Sequence, residues 1–213
     1  NEAMYGSVLS DLKANYAQFS NRNVERNFSS QLQRNAKYLT LAYQLGSLLK
    51  TYADQDAAGQ ATMKTKVTDA IDRLYDGFNT KLEGDMLNTM VSLYQQRVKK
   101  EDASPSLMSV DAKNLANVAW SSIFATKESA TNFLNNPNRL VIDADPLLKI
   151  ANGFIADQKL SGDRYAKVDE AFAKNSRLFL DGLRKSQPNT AFYPDANSTM
   201  RLTTGTIQTL PVR

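Results

Sequence analysis

Apolar residues recur every three or four positions along most of the chain, which is the spacing of one helix face. The first run predicts a helix from about Met4 to Phe19. Ser20-Asn21 predicts the cap of a second helix, which extends to Tyr52. A third run, from Met63 to Phe78, follows the same period and ends near Asp76-Gly77. The first third of the chain is therefore predicted to be helical.

A fourth helix is predicted to start at a capping box, Thr80-Lys81-Leu82-Glu83, in which the Thr hydroxyl and the Glu carboxylate bond free amides. Its inward face is predicted to comprise the apolar residues Leu82, Met86, Met90, Leu93 and Val98. Because the connection to the preceding helix is short, the two are expected to pack as neighbours.

The second half reads as a loop followed by helices of unequal length. Glu101–Ser109 contains Ser-Pro and is predicted to be a surface loop. Asn135-Asn136-Pro137-Asn138 is a strong helix stop. Four helices are predicted around these breaks: Val110–Ser122, Lys127–Leu134 capped by Thr126, a short one from Asp145-Pro146, and a long one from after Gly162 to about Lys185.

The composition changes near the end of the chain. Ser198–Val212 is rich in threonine and β-branched residues and turns near Gly205, which predicts two short strands. Two strands alone are marginal in water, so their partners are expected outside this chain. The predicted fold is thus mainly α, a bundle-like helical domain over residues 1–190, with a hinge and two strands over residues 191–213.

Charge and hydropathy argue against two classes of partner. The 26 Lys and Arg residues exceed the 22 Asp and Glu residues by only four, and they do not cluster, so no nucleic-acid partner is predicted. No run approaches the roughly eighteen apolar residues of a membrane span, so no membrane insertion is predicted.

The chain of 213 residues contains no cysteine and no histidine. Thiolate chemistry, imidazole metal ligands and a Ser-His-Asp triad therefore cannot be built from its residues alone. No catalytic residue, metal ligand or cofactor is predicted within it. Ser-Lys, paired-carboxylate and Mg²⁺ chemistry remain formally open.

The candidate sites all have simpler explanations. Asp143 with Asp145, and the trio Asp163, Asp169 and Glu170, could bind Mg²⁺ or act as acid and base, but helix starts and exposed faces favour such residues anyway. Lys185-Ser186 lacks the strained turn of a Ser-Lys dyad.

The segment after the long helix is harder to explain by packing. Phe192 to Thr203 reads Phe-Tyr-Pro-Asp-Ala-Asn-Ser-Thr-Met-Arg-Leu-Thr, which is turn chemistry between a helix and a strand. It predicts an interdomain hinge or seam, with the candidate residues Tyr193, Pro194, Asp195, Asn197 and Arg201.

The same segment resembles the bacterial dipeptidyl-peptidases of the seven and eleven types, whose pattern this chain matches from Phe192 through Gly205, with Thr204 where Tyr is usual. Weaker agreement covers most of the chain from about Thr80 onward, as in Asn175-Ser-Arg177-Leu-Phe179. The first eighty residues fit through helical character only.

The resemblance implies a serine exopeptidase whose chymotrypsin-like double barrel carries an inserted helical domain. That domain caps the cleft and helps to fix the free N-terminus of a peptide, so that dipeptides are released. The family's His and Asp precede the insertion and its nucleophile follows it, so the fragment itself is expected to be inactive. Its substrate-binding residues in the cap stay unknown, since that motif is expected before residue 1.

The resemblance further implies a periplasmic or cell-surface location and allows a homodimer of the parent protein. Two other hypotheses stay open from the residues. One is a free-standing helical interaction or ligand-binding protein. The other is a metal-dependent hydrolase that uses the neighbourhood of Asp143 and Asp145.

Overall fold

Helices form wherever the apolar period is sustained, and the computed structural model describes residues 2–190, 192, 205 and 206. Over this part of the chain it contains helices and no strands. They are α1 (Glu2–Tyr5), α2 (Val8–Asn35), α3 (Lys37–Ala53), α4 (Ala57–Leu74), α5 (Thr80–Arg97), α6 (Pro105–Met108), α7 (Leu115–Trp120), α8 (Lys127–Phe133), α9 (Arg139–Ala144) and α10 (Pro146–Ser186).

The predicted mainly helical fold is confirmed for the described residues. The predicted strands of Ser198–Val212 and the hinge residues Tyr193, Pro194, Asp195, Asn197 and Arg201 lie outside them. Gly205 and Thr206, which are described, belong to no strand.

The core is centred on α3, whose sides contact α2, α4, α5, α9 and α10. Eight of its residues are buried: Tyr38, Leu39, Leu41, Ala42, Leu45, Gly46, Leu49 and Tyr52. Gly46 permits a close approach, because a Cβ atom there would lie 2.4 Å from Leu148 Cδ1 of α10. This helix therefore organises the packed part of the molecule.

The first helix boundaries were predicted wrongly. No break occurs at Ser20-Asn21, and α2 runs through both residues. Neither residue type costs a helix more than about 0.7 kcal/mol, so a well-packed helix passes through them. The break lies at Ala36, where the φ and ψ angles of −83° and 77° leave the helical region and the chain turns into α3.

The face and cap of α5 were also predicted wrongly. Asn79 is the N-cap, and its side chain accepts a bond from Leu82 N at 3.0 Å. The buried residues of this helix are Glu83, Gly84, Leu87, Val91 and Tyr94, whereas Leu82 and Leu93 of the predicted face are exposed. Nor do α4 and α5 form a neighbouring pair: α4 packs on α3 and α8, and α5 on α7 and α2.

The region after α5 is less exposed than predicted. Residues 101–109 include α6, whose Leu107 is fully buried, so the segment is not simply a surface loop. The predicted helix Val110–Ser122 shortens to α7. The predicted cap of α8 by Thr126 is confirmed, since its side chain accepts a bond from Ser129 N at 3.0 Å.

The two last predicted helices are one. Asp145 caps α10 and Pro146 begins it, as predicted, but the helix continues through Gly162 for 41 residues. Gly162 therefore does not end the helix, and a Cβ atom at this position would meet no atom within 4 Å. The pairing of α10 with α2 supplies a packing surface on both sides of this position.

The molecule divides into a body and an arm. We call residues 23–164 the body, and residues 2–22 together with 165–186 the arm. In the arm α2 and α10 run antiparallel, joined by bonds of Arg22 with Asp169 and of Asn15 with Asn175. At the far end Tyr5 of α1 bonds to Asp181 of α10. Beyond Phe154 no residue of α10 is buried.

Candidate functional site: a polar cleft at the root of the arm

A polar cleft separates α2 from α10 at the point where the arm meets the body. Its volume is about 370 Å³. One side comes from α2 and the other from α10, and the lining residues are Arg22, Glu25, Arg26, Ser29, Ser30, Gln33, Gln158, Ser161 and Gly162. The α2 residues recur every three or four positions, which places a polar stripe on one face of the helix.

The floor of the cleft is a buried carboxylate. Glu25 is only 6% exposed, and its Oε1 accepts bonds from the Ser29 hydroxyl and from Tyr94 Oη, the latter at 3.2 Å. Burial raises the pKa of the Tyr94 hydroxyl above its usual range, so this hydroxyl remains a donor. A carboxylate at this depth requires such donors, because unpaired buried charge is costly.

The same network continues from Glu25 across the body. Ser104 N donates to Tyr94 Oη at 2.8 Å, and the Ser104 hydroxyl donates to Asp157 Oδ2 at 2.6 Å. Burial acts to raise the pKa of Asp157, but bonds from Ser104 and Ser106 outweigh it and hold that pKa below its usual value. Four segments, α2, α5, α6 and α10, thereby meet at one chain of hydrogen bonds.

On the arm side the cleft ends at an ion pair. Arg22, 8% exposed, forms a two-pronged pair with Asp169 at 2.6 and 3.0 Å, and its guanidinium lies 4.5 Å from the ring centre of Tyr165. The bond from Arg22 holds the pKa of Asp169 below its usual value. Beyond it, Phe172 packs edge-on against Tyr16 and Phe19, with ring centres 5.3 Å apart in both pairs.

One side chain in the cleft has an unmet bonding capacity. Gln158 accepts a bond from Gln33 Nε2, but its own Nε2 is buried without a partner. Exchanging the amide's oxygen and nitrogen would leave the oxygen there instead, so either assignment leaves one polar atom unsatisfied. The arrangement is suited to holding a polar molecule.

The carboxylates considered as metal ligands or as an acid–base pair serve other contacts. Asp143 pairs with Lys50 at 2.6 Å and Arg139 at 2.9 Å; the bond from Lys50 is the main cause that holds its pKa below the usual value. Asp145 is buried and accepts bonds from Ser122, Ile123 and Leu148. Among the described residues, no three His, Cys, Asp or Glu side chains gather where they could hold a metal.

The remaining candidates lie along the arm or near its root. Asp169 belongs to the pair with Arg22, while Asp163 and Glu170 are exposed and form no hydrogen bond or ion pair within the described part of the chain. Lys185 bonds to Asp181 and Tyr5, and the bond from Asp181 is the main cause that raises its pKa. The Ser186 hydroxyl donates to Leu183 O, so it forms no dyad with Lys185. In the same described region, no helix is both long and apolar enough to cross a membrane.

The cleft residues were missed by the sequence analysis. The available signal was the spacing of Arg22, Glu25, Ser29 and Gln33, which places four polar side chains along one side of the helix. Its partners, Tyr94 and Gln158, are distant in sequence, so the stripe alone gave no reason to expect an enclosed site.

Comparisons with known proteins point to one family over the full chain. Residues 1–212 match the peptidase S46 family. The chain is 28% identical to dipeptidyl-peptidase 7 of Capnocytophaga gingivalis, over 99% of this chain and 30% of that protein. It is 24% identical to an Asp/Glu-specific dipeptidyl-peptidase of Flavobacterium psychrophilum, over 96% of this chain and 30% of that protein.

The chain is also 24% identical to dipeptidyl-peptidase 7 of Porphyromonas gingivalis, over 97% of this chain. The chain thus spans about 30% of the length of these relatives. The match includes the first eighty residues, whose resemblance to the family rested on helical character only. No solved structure matches. The agreement along residues 1–212 places this chain in the peptidase S46 family.

Proposed function

We propose that this chain is the helical cap domain of a serine dipeptidyl aminopeptidase that releases N-terminal dipeptides from oligopeptides. The observation that carries the proposal is the match of residues 1–212 to peptidase S46 in a chain that contains no histidine. The named relatives are dipeptidyl-peptidases more than three times as long as this chain. A Ser-His-Asp triad would therefore belong to the rest of such a protein.

In this proposal residues 1–190 form the cap, and residues 191–213 lead back to the catalytic barrel. The hinge would comprise Tyr193, Pro194, Asp195, Asn197 and Arg201. The continuity of α10 supports this role, because one helix connects the packed body directly to the segment that follows Ser186. The cap would gate the cleft, exclude water and help to fix the free N-terminus of the peptide.

The location and assembly of the parent are part of the same proposal. It resides in the periplasm or at the cell surface, where its peptide substrates are found, and a homodimer is the assembly to test. Cell fractionation with the full-length gene product, followed by sizing of the purified protein, addresses both points.

The decisive experiment compares the full-length gene product containing these residues with a variant in which residues 1–190 are replaced by a short Gly-Ser linker. Both are treated with a serine-reactive phosphonate and assayed with dipeptidyl-coumarin substrates, free or N-acetylated. The intact protein should cleave only the free substrates. The variant should still react with the phosphonate but release almost no coumarin.

The 213-residue chain alone is expected to release none. Coumarin release by that chain, or equal activity of the variant and the intact protein, would refute the cap proposal.

A further inference from the structure

The cleft at the root of the arm has bonding capacity that the protein itself does not use. Glu25 Oε2 accepts no hydrogen bond within the described part of the chain, although Oε1 accepts two. The buried Nε2 of Gln158 donates none. The residues that carry this unused acceptor and this unused donor, Glu25 and Gln158, both line the same space of about 370 Å³.

Of the four charged residues around the cleft, two form an ion pair with each other and two form none. Arg22 is neutralised by its two bonds to Asp169. Arg26 is exposed, lines the cleft and forms no ion pair with any described residue. Once Arg22 and Asp169 are set aside, one formal positive charge and one formal negative charge remain, on Arg26 and Glu25.

A ligand that matches this set is itself neutral overall and carries both charges. Its ammonium would be recognised by Glu25, and its carboxylate by the guanidinium of Arg26 and the amide of Gln158. Guanidinium and amide donors bind carboxylates through directed bonds, and a carboxylate of low exposure favours an ammonium over a neutral donor. A ligand with one charge alone would leave the opposite group in the cleft without a partner.

We propose that this cleft binds a small zwitterion bearing an α-ammonium and a carboxylate, either a free amino acid or a short peptide. The site uses side chains of α2 and α10 only, so it is complete within this chain. It does not depend on the peptidase proposal, since no catalytic group takes part. Binding would bridge the two helices at the level where the arm leaves the body.

The test is calorimetric titration of the 213-residue chain with L-alanine and L-alanyl-L-alanine, which distinguish the two sources. The blocked controls are N-acetyl-L-alanine, which lacks the ammonium, and L-alaninamide, which lacks the carboxylate. At least one zwitterion should bind with a Kd near 1 mM. Each blocked compound should bind about tenfold more weakly, as expected for the loss of one charge-assisted contact.

Two variants locate the site. Arg26→Gln changes an exposed residue and should weaken binding about tenfold without altering the helical spectrum. Arg73→Gln, an equal charge change at an exposed residue of α4, should leave binding unchanged. Gln158→Leu should weaken binding as well, and its thermal melt checks its folding.

The proposal is overturned if no zwitterion binds at up to about 20 mM. It is overturned equally if the blocked compounds bind as well as the zwitterions, or if Arg26→Gln leaves the affinity unchanged.

Discussion

The body and the arm share the helix α10, yet they are stabilised in different ways. Phe154, in the body, is 1% exposed, whereas Phe172 lies about five turns further along the same face and is only half-buried. In the body several helices pack around the buried apolar side chains. In the arm α2 covers one side of α10, and ring contacts and ion pairs contribute a larger share of the stability. A helix thus acquires its stability from what surrounds it, turn by turn.

The strongest test of this difference is a matched pair of truncations in α10. Phe154→Ala should lower the free energy of unfolding by about 3–5 kcal/mol, because it leaves a cavity in an enclosed core. Phe172→Ala should cost about 1–2 kcal/mol, since its site borders solvent and can relax. Urea unfolding followed by circular dichroism measures both, and equal losses would contradict the division into body and arm.

A smaller effect should appear when the arm is titrated with acid. The native pKa of Asp169 lies below its usual value because of Arg22, so the unfolded state binds more protons and this contribution to stability rises with pH. It should be present above about pH 4 and disappear as pH falls through the lowered native pKa.

The midpoint of urea unfolding for the wild-type chain and Asp169→Asn should therefore differ at neutral pH and converge in acid. The control is Glu170→Gln, which removes one negative charge from a neighbouring exposed residue and should behave like the wild type at every pH. If the two midpoints do not converge in acid, the ion pair with Arg22 does not stabilise the arm.

The smallest effects are expected at exposed apolar residues of each region. Leu9 at the end of the arm is 67% exposed, and Leu140 on α9 is 77% exposed. Substitution of either residue by Gln should change the free energy of unfolding by less than about 0.5 kcal/mol. A loss above about 1 kcal/mol for Leu9→Gln, measured by urea unfolding, would mean that the arm encloses this side chain.

Local signals predicted several helix ends correctly. Thr126 caps α8, and Asp145-Pro146 begins α10, because a short polar side chain or a proline acts on amides within its own turn. Asn138, at the predicted stop, similarly caps α9. These features depend on neighbours in sequence, so the sequence suffices to predict them.

Features decided by distant contacts could not be predicted in this way. The turn at Ala36 contains no glycine or proline, and it brings Tyr38 to the carbonyl of Ala125 at 2.9 Å. On α5, Leu82 and Leu93 compete with Leu87 and Val91 as the inward face, and only packing against α2 and α7 decides between them. The cleft was missed for the same reason, because Gln33 and Gln158 meet only in the folded chain.

The length of α10 has a consequence for motion. At about 1.5 Å per residue, its 41 residues extend roughly 60 Å from Pro146 to Ser186. The 22 residues beyond Arg164 span about 33 Å of this length and act as a lever, so a pivot of about 7° at Arg164 would displace Ser186 by about 4 Å. A rotation beyond the body, which leaves the packing around Phe154 in place, would thereby become at Ser186 a displacement slightly larger than the spacing between consecutive Cα atoms.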